Sequence, residues 1–545
     1  MQKAKYYITT FLLAIVFTIN AQVPTGPEIA WQRCYGTSGY DFFTDAITTS
    51  DGGFAAFVYY DHEDGDFIDS LNAYGRFLKF DENFNLIWQR SYEDIGFEQI
   101  LEVSDGFVLC GATYIDTGFA AENHGLADIV LVKTDINGIY QWSHCYGSTG
   151  VDNFTAIIAT SDGGYIISGS TYGSNGDIPF HYGSGFTTDG IILKIDNIGN
   201  VDWINVIGGS DYDFTEGNVI QLDSFYIVFA ASFSNDYDLA DFTFDGQKIW
   251  LMKFNLIGVK VNEIVYEGGN PILGFYSSTL INNNKIIVTG TSFANSVDFP
   301  GPAGHLIDDG YIALFDTTLQ LTDLHQFGGS ESDLIYTLRI NSKNEFICFG
   351  SSRSSDFDVP ANYNMNEERD NWLLAIDSNF NLLWSQNFGG SNPNGEYTYK
   401  ITTAPGTLLY NNNYIYYFGQ CIVPDVLPDY DIACGHINPD LDDDTDAWLV
   451  AFDLSTVNID TPIVENNFSI YPNPTENTIY VLNNMLDSNE YRFSIFNALG
   501  QKLLETSLIN NKENIINIQT LPSGLYVAAI LRDGIIIQSE KIILQ

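Results

Sequence analysis

Residues 152–177 read "DNFTAIIATSDGGYIISGSTYGSNGD" and residues 41–60 read "DFFTDAITTSDGGFAAFVYY", so nearly the same text occurs twice, 111 residues apart. In both copies an apolar-rich run precedes an Asp-Gly-Gly turn and a second apolar run follows it. This pattern is typical of two short antiparallel strands joined by a tight turn. Its recurrence in one chain indicates a repeat architecture.

A second marker gives the period of the repeat. An Asp precedes a Trp by seven residues at Asp81–Trp88, Asp135–Trp142, Asp196–Trp203 and Asp377–Trp384. Two further copies keep the spacing without the Trp, at Asn255–Asn262 and Asp316–Asp323. With Asp453, seven markers recur at intervals near 60 residues. The residues inside each marker, such as "INGI", have the composition of a hairpin turn.

Each unit therefore contains four short strands, and seven units predict an all-β chain with a seven-bladed β-propeller over residues 22–454. The strand around Trp31 lacks a preceding third strand, and "AWLVAFD", ending at Asp453, lacks a following fourth strand. We predict that residues 28–35 pair with residues 446–453 and close the ring, which removes an exposed sheet edge. All eight Trp fall at third-strand or fourth-strand positions, where we expect them to pack between neighbouring blades.

The two ends of the chain differ from the repeats. Residues 1–21 combine a basic start, at Lys3 and Lys5, with an apolar run that is too short to span a membrane, which predicts a secretory signal peptide. Residues 455–465 read as a linker. Residues 466–545 contain short alternating strands and predict a small Ig-like β-sandwich. No other stretch approaches the length of a transmembrane segment.

The C-terminal segment resembles the type A sorting domain of the type IX secretion system of gram-negative bacteria. The matching residues are Tyr471, Pro472, Asn473 and Pro474 of "YPNP", the hairpin "NALGQKL", Gly524, Leu525 and Tyr526 of "SGLY", and Lys541 near the end. The resemblance implies that the secretion machinery is a partner and that the protein is secreted or attached to the outer cell surface after this domain is removed. The upstream repeats resemble the propeller-like repeats with "DGGY" and Asp-Trp motifs found on such exported proteins.

The chain is strongly acidic. It holds 22 basic and 69 acidic residues, a net charge of −47, and residues 22–461 alone hold 15 basic and 61 acidic residues. A surface of this sign repels nucleic acid and anionic membranes, and it attracts cations. We therefore expect no nucleic-acid partner.

The acids also supply the candidate metal site. Asp-x-Asp pairs occur in the long loops at Asp236/Asp238 and Asp356/Asp358, and "DLDDDTD" places Asp440, Asp442, Asp444 and Asp446 at alternate positions. Oxygen ligands at this spacing suit Ca²⁺, which is the single cofactor that the sequence suggests. The alternative is a solvated acidic face that aids solubility, because no complete EF-hand loop is present.

No catalytic motif is evident. The seven His form neither HExxH nor a Cys/His cluster, and His144 and His325 share a fourth-strand position with Arg33 and Arg90, which indicates a polar ring on the outer strands. Cys421 and Cys434 lie 13 residues apart in one irregular segment and predict a disulfide. The other four Cys fall inside repeat strands, where we expect small buried thiols.

These features favour an exported, non-enzymatic propeller that binds an extracellular glycan or protein through its loops. One alternative is a hydrolase acting on extracellular polysaccharide, since some proteins with similar repeats carry an endoglucanase name. Another is a structural role in the surface layer. Carboxylates and aromatics that converge in a central pocket would favour the hydrolase, and dispersed acids would favour the binding protein.

Overall fold

A computed structural model of the chain describes residues 24–60, 62, 64–67, 75–92, 95–242, 246–269, 274–281, 285–293, 298, 308–360, 369–389, 407–411, 413–422, 431, 433–434, 445–457, 468–471, 478–483, 491–497, 502–510, 512–532 and 535–544. The chain divides into two compact units, Met1–Val457 and Asn458–Gln545. Each unit is described by itself. No helix in the described residues is long and apolar enough to cross a membrane.

The described part of the first unit forms seven four-stranded antiparallel sheets, numbered I to VII along the chain. Strand β1 spans Glu28–Tyr35 and belongs to the last of them. Sheet I contains β2 (Asp41–Thr48), β3 (Phe54–Tyr60), β4 (Gly75–Phe80) and β5 (Leu86–Arg90). Sheet II contains β6 (Gly96–Val103), β7 (Gly106–Thr113), β8 (Asp128–Asp135) and β9 (Tyr140–Tyr146). Sheet III contains β10 (Asp152–Ala159), β11 (Tyr165–Thr171), β12 (Asp189–Ile195) and β13 (Val201–Ile207).

The remaining sheets repeat this order. Sheet IV contains β14 (Asp213–Leu222), β15 (Phe225–Ser232), β16 (Gln247–Asn255) and β17 (Lys260–Gly269). Sheet V contains β18 (Gly274–Ile281), β19 (Lys285–Phe293), β20 (Asp308–Asp316) and β21 (Leu321–Phe327). Sheet VI contains β22 (Asp333–Ile340), β23 (Phe346–Ser352), β24 (Asp370–Ile376) and β25 (Leu382–Phe388). Sheet VII contains β26 (Thr407–Asn411), β27 (Tyr414–Ile422), β28 (Thr445–Asp453) and β1. Short 3-10 turns occur at Gly118–Ala120, Tyr237–Leu239 and Leu454–Thr456.

The Asp-Gly-Gly segments form the predicted turns between the first and second strands. At the first copy, Thr49 N donates to Gly53 O at 2.9 Å, and Asp51 Oδ1 accepts from Gly53 N at 3.1 Å. Gly52 has φ +87°, in the left-handed region that a residue without Cβ enters most easily. The equivalent turn of sheet III has the same bond from Thr160 N to Gly164 O, so the sequence repeat is also a structural repeat.

The seven sheets follow one another in a propeller-like ring. The first strand of every sheet, from β2 to β26, contacts the first strand of the next sheet, and β26 contacts β2. The first strands therefore surround the centre. The predicted pairing of the two ends is confirmed, because β1 runs antiparallel to β28 with Glu28 opposite Asp453 and Tyr35 opposite Ala447.

Apolar side chains fill the spaces between neighbouring sheets. One cluster joins β11 and β12 of sheet III to β7 and β8 of sheet II through Ile167, Ile191, Val108 and Leu131. The prediction that Trp packs between blades is confirmed for Trp250, Trp372 and Trp448, which are fully buried and contact residues of the neighbouring sheet. Trp384 is also fully buried. Trp31, Trp88 and Trp203 are half-buried and cover the next hairpin, at Phe84, Gly138 and Gly258. A Cβ on Gly258 would lie 2.6 Å from the Trp203 ring, so a residue without Cβ fits this contact.

The second unit contains two antiparallel sheets in its described residues. One has three strands, β29 (Phe468–Tyr471), β30 (Thr478–Asn483) and β33 (Lys512–Asn517). The other has four strands, β31 (Tyr491–Phe496), β32 (Lys502–Leu508), β34 (Gly524–Arg532) and β35 (Ile535–Leu544). Both contribute to a single apolar core, in which Ile479 and Ile516 of the first sheet meet Phe493 and Ile530 of the second.

Candidate functional site: the acidic face and the inner strands

The acidic loops gather on one face of the first unit, called here the acidic face. It consists of the described residues of the loops between second and third strands and of the turns that lead from one sheet to the next. The antiparallel order of each sheet places these segments at the same end. Hydrogen bonds join them directly, since Ser210 N donates to Asp236 Oδ1 at 2.8 Å and Gly208 N donates to Asp238 Oδ2 at 3.2 Å.

The Asp-x-Asp pairs use their carboxylates to hold these turns. In sheet VI, Ser330 N donates to Asp356 Oδ1 at 2.8 Å and Gly328 N donates to Asp358 Oδ2 at 3.3 Å. The pattern of sheet IV is thus repeated with equivalent residues. Carboxylates that accept backbone N–H groups are charge-assisted acceptors, so these acids contribute to the junction between consecutive sheets whether or not a cation also binds.

The calcium prediction remains a prediction. Asp440, Asp442 and Asp444 lie outside the described residues, and Asp446 is a fully buried residue of β28. Within the described part of the chain, no group of three or more His, Cys, Asp or Glu residues is arranged to hold a metal ion. The structure brings Asp236 and Asp238 together in one turn, and Asp356 and Asp358 together in another.

Behind the face lies a row of buried carboxyls that the sequence analysis did not identify. Asp128 and Asp152 begin β8 and β10, and both are fully buried. They approach each other across Gly147, where a Cβ would lie 2.6 Å from Asp128 Oδ1 and 2.7 Å from Asp152 Oδ2. Burial raises the pKa of both carboxyls. Asp152 Oδ2 accepts from Ser148 N at 2.6 Å, which holds the connecting turn.

The same arrangement recurs at the next junction. Asp189 and Asp213 begin β12 and β14, and burial raises the pKa of Asp213 to about 6. Asp213 Oδ2 accepts from Gly209 N at 2.7 Å, while Asp189 Oδ2 accepts from Tyr182 N at 2.6 Å. Desolvation favours the protonated form of both carboxyls, and the negative charge of Asp189 raises the pKa of Asp213 further.

A third set of polar groups lies on the first strands, around the centre. Asp45 of β2 accepts from Ile100 N of β6 at 2.8 Å and from Thr407 Oγ1 of β26 at 2.9 Å, so it links three sheets. Burial raises its pKa to about 6, and the positive charge of Arg339 on β22 opposes this shift. Glu216 of β14 accepts from Phe275 N of β18 at 3.1 Å.

The glutamates of these strands are strongly perturbed. Burial raises the pKa of Glu98 to about 7 and that of Glu216 to about 8. Glu98 is nevertheless exposed to solvent and Glu216 is half-buried. In a narrow central channel, we expect a side chain to be mostly surrounded by protein and still to be reached by water. Glu98 and Tyr276 both occupy the bulged position of their strands, where the backbone irregularity re-aims a side chain.

Exposed aromatic side chains are concentrated on the acidic face. The large apolar residues exposed there, within the described residues, are Tyr114, Leu126, Phe180, Phe186, Tyr212, Tyr237 and Phe357. On the opposite face, the hairpins between third and fourth strands expose aliphatic residues with a single aromatic, namely Leu86, Ile87, Ile136, Ile139, Tyr140, Ile198, Val201, Leu256, Ile257, Val259 and Val261. Aromatic and aliphatic surfaces are thus segregated between the two faces.

The histidines of the fourth strands contact neighbouring elements. His144 Nδ1 lies 2.9 Å from Glu122 Oε2, and His144 Nε2 lies 3.2 Å from Ile198 O, a carbonyl in the hairpin of sheet III. His325 stacks on Phe380 of sheet VI with ring centroids 4.1 Å apart. Arg33 similarly donates to Phe84 O of sheet I. These contacts join one sheet to the next, in agreement with the polar ring that the sequence indicated.

The predicted disulfide between Cys421 and Cys434 is wrong. Cys434 bonds to Cys34, with a Cα–Cα distance of 5.7 Å, and Cys421 is not in a disulfide. Ring closure explains the difference. Strand β1 pairs with β28 and contains Cys34. Ala433, which precedes Cys434, donates its N–H to Gln32 Oε1 of β1 at 3.0 Å, so Cys434 lies beside the same strand. Cys421 Sγ lies 3.9 Å from Cys34 Sγ, inside β27. The thiols of Cys110, Cys145 and Cys348 are buried, as expected, but the same expectation is wrong for Cys34, which is in the disulfide.

The sorting-motif residues are distributed over the second unit. Tyr471 ends β29, and Pro472, Asn473 and Pro474 lie outside the described residues. Gly524 begins β34, in which Tyr526 is buried and donates from its hydroxyl to Pro522 O at 2.7 Å. Lys541 pairs with Val527 between β35 and β34.

Sequence comparison identifies the C-terminal segment. Residues 469–545 match the family described as "Secretion system C-terminal sorting domain". A comparison with curated proteins found no match.

Solved structures similar to the chain have low identity to it. The WD40 domain of Neurospora crassa Pan2 is 12% identical, with 67% of this chain and 89% of that chain covered and a TM-score of 0.37. The BBS1N chain of a complex with ARL6DN is 8% identical, with 79% and 98% covered and a TM-score of 0.38. The extracellular domain of a hybrid two-component system from B. thetaiotaomicron is 9% identical, with 92% and 67% covered and a TM-score of 0.33.

The motif residues and the matched range agree. An all-β, propeller-like unit precedes a segment that matches a family of export signals. The chain therefore carries a C-terminal sorting domain of type IX secretion, and it is an exported protein that is secreted or attached to the cell surface.

Proposed function

We propose that this protein is a seven-bladed β-propeller that binds an extracellular glycan or protein through its acidic face, and that an Ig-like sandwich at its C-terminus directs its export. Seven four-stranded sheets in the described residues and the contacts of their first strands support the blade number. Two sheets around one core support the sandwich. The propeller, on this proposal, is a binding module.

The segregation of exposed aromatics carries this proposal. Aromatic side chains supply large, rigid contact area and are enriched where proteins bind other molecules. The acidic face exposes Tyr114, Phe186 and Phe357 to 74%, 83% and 66%. Exposed aromatic residues concentrated on one face of an exported protein, among polar residues, support an interaction site on that face. Carboxylates beside the rings can accept hydrogen bonds from hydroxyl or amide donors of a ligand.

A second function, hydrolysis of an extracellular polysaccharide, is favoured by one observation. The first strands carry Glu98 and Glu216, whose pKa values are raised to about 7 and about 8. A carboxyl that stays protonated near neutral pH can act as a general acid on a glycosidic oxygen, with a second carboxylate as base or nucleophile. Tyr276, exposed to 40%, lies on a neighbouring first strand.

Two assays on the purified full chain separate these functions. A glycan array tests binding, and a panel of soluble polysaccharides followed by reducing-sugar release tests hydrolysis. Binding without release supports the binding module. Release that is lost in both Glu98→Gln and Glu216→Gln, with the fold retained, would establish the hydrolase instead. Neither binding nor release would exclude a glycan ligand and the hydrolase, and would leave a protein ligand or a structural role in the surface layer.

A further inference from the structure

The middle residue of the Asp-x-Asp turn always has positive φ where the structure describes it. Gly65 has φ +57°, Gly176 of the related Asn-Gly-Asp turn has φ +60°, Tyr237 has φ +48° and Phe357 has φ +52°. Glycine enters this region without a steric penalty, whereas a residue with Cβ is disfavoured there. Two sheets therefore carry glycine at this position, and two carry a bulky aromatic residue.

The turn itself does not depend on the aromatic side chain. In all four copies the residue after the middle one donates its backbone N–H to a glycine of the preceding turn: Asp66 to Gly36, Asp177 to Gly147, Asp238 to Gly208 and Asp358 to Gly328, over 2.9 to 3.3 Å. The side chains of Tyr237 and Phe357 are 59% and 66% exposed, so burial does not explain them. A residue with Cβ that is held at positive φ while its side chain stays more than half exposed suggests a functional contact.

We infer that Tyr237 and Phe357 are ligand-contact residues that stack on the sugar rings of an uncharged polysaccharide. This inference rests on the proposed function and names its ligand class and two of its contact residues. An aromatic face packs well on the flat apolar side of a pyranose ring, and the neighbouring carboxylates accept hydrogen bonds from its hydroxyls.

Around Tyr237 the surface is extended in a way that suits a polymer. Its ring lies 4.8 Å from that of Tyr182, which lies 5.0 Å from that of Phe180, so three aromatic rings are in contact. Phe357 occupies the equivalent turn of sheet VI on the same face. Two contact residues in equivalent turns can engage a repeating ligand together, and linked contacts raise its apparent affinity.

The negative charge of the unit selects against anionic glycans. Residues 22–461 hold 61 acidic and 15 basic residues, and Asp236 and Asp238 flank Tyr237 directly. Polyuronates and sulfated glycans would be repelled at physiological ionic strength, where charges within about 8 Å interact appreciably. An uncharged glucan or xylan meets no such repulsion.

Substitution by glycine tests this inference, because glycine already occupies the position in two sister turns. Tyr237→Gly and Phe357→Gly are expected to bind hydroxyethyl cellulose, laminarin or xylan about tenfold more weakly or worse than the parent, as for a central aromatic contact. The double variant is expected to lose binding. Both single variants should unfold at the same denaturant midpoint or a higher one, since the strain at positive φ is removed. Tyr237→Trp should keep the affinity.

Ile257→Ala on the opposite face is the matched control and should bind as the parent does, because this side chain is 75% exposed in the hairpin between β16 and β17, away from the acidic face. If the parent binds a polysaccharide and both glycine variants bind it equally well, the inference is overturned while the proposed function stands. A glycine variant that unfolds earlier than the parent would identify a packing residue and overturn the inference as well. Equal binding of polygalacturonate would overturn the ligand class. If the parent protein binds no glycan, this inference is overturned. If it binds neither a glycan nor a protein, the proposed function is overturned as well.

Discussion

At the scale of single residues, the buried carboxyls make stability depend on pH in an unusual direction. Asp45, Asp213, Glu98 and Glu216 all have pKa values raised by burial. The folded state therefore keeps protons that the unfolded chain has already released. Since stability falls with pH wherever the folded state binds more protons, the free energy of unfolding should decrease between about pH 4 and pH 8.

Glu216→Gln should remove part of this decrease. The pKa of Glu216 is raised from 4.5 to about 8 by burial, so its ionisation destabilises the folded state progressively over that interval. Glutamine keeps an acceptor for Phe275 N and has no charge to desolvate. We expect the variant to match the parent at pH 4.5 and to exceed it by about 2 kcal/mol at pH 9, allowing for partial solvent access. Urea unfolding at both pH values measures this.

An exposed acid provides the control for that experiment. Glu82→Gln changes the same charge in an exposed turn, so its effect should be small and similar at both pH values. A difference between Glu216→Gln and the parent that is equal at pH 4.5 and pH 9 would show that the carboxyl does not titrate as proposed.

The sequence did not distinguish these residues, for a physical reason. Acidic residues are so abundant in residues 22–461 that any loop offers a pair of them, and desolvation depends on which strands surround a side chain. Asp128 and Asp152 are 24 positions apart and meet across Gly147 because two sheets converge there. The aligned repeats show an aromatic residue in "DYD" (236–238) and "DFD" (356–358), where the equivalent turns have glycine in "DGD" and "NGD". That this position has positive φ, and therefore favours glycine, is seen only in the structure.

At the scale of elements, the contact between β1 and β28 decides the disulfide. We expect Cys434→Ser to abolish the crosslink and to lower the free energy of unfolding by about 2–4 kcal/mol, because the crosslink restricts the unfolded chain. Cys421→Ala should keep the crosslink. Peptide mapping by mass spectrometry without reducing agent should therefore recover a peptide pair that contains Cys34 and Cys434.

The neighbouring thiol requires a double variant. Cys421 Sγ is 3.9 Å from Cys34 Sγ, so a rearranged bond is geometrically accessible when Cys434 is absent, and Cys434→Ser combined with Cys421→Ala is the variant that excludes both crosslinks. A crosslink between Cys34 and Cys421 in the unsubstituted protein would contradict the pairing described here.

The strands were more predictable than the contacts between loops. Four strands per unit and the pairing of residues 28–35 with residues 446–453 follow from alternation, turn residues and two incomplete repeats, which are local patterns. The partner of Cys34 depends instead on the path of an irregular segment. Proximity in sequence paired Cys434 with Cys421, whereas ring closure brings Cys434 beside Cys34, which is 400 positions away.

At the scale of the whole molecule, charge repulsion is the dominant long-range force. With 61 acidic and 15 basic residues in 22–461, we expect low salt to destabilise the folded state. If the turns bind Ca²⁺ as predicted, CaCl₂ should raise the melting temperature more than NaCl at equal ionic strength. Saturation to a hundredfold excess over Kd contributes about 2.7 kcal/mol. Thermal melts in EDTA, NaCl and CaCl₂ compare these conditions.

Variants that keep the turns identify the ligands. Asp236→Asn and Asp356→Asn retain a carbonyl acceptor for Ser210 N and Ser330 N, so they should fold while losing part of the Ca²⁺ response. Asp442→Asn and Asp444→Asn test the acidic run. Coincident curves in matched NaCl and CaCl₂ would show that the acids are a solvated face and that the calcium prediction is wrong.

Truncation after residue 461 tests the role of the second unit. The propeller-like unit keeps all of its described strands, which end with β28 at Asp453, so the truncated protein should fold. Without residues 469–545 it lacks the matched sorting domain and should accumulate in the periplasm. Cell fractionation and immunoblotting measure its location. Normal amounts outside the cell would contradict the assignment of an export signal to this segment.

The pairing of β1 with β28 also constrains the order in which the protein can fold. These strands lie more than 400 positions apart, so the ring closes only after nearly all of the first unit has been synthesised. Contacts between distant segments slow folding, because the chain entropy of a long loop is lost before the contact forms. Before closure, β28 has an unpaired edge that can join another chain. The sorting domain begins soon after β28 in the sequence. The export signal therefore emerges from the ribosome just after the strand that allows the ring to close.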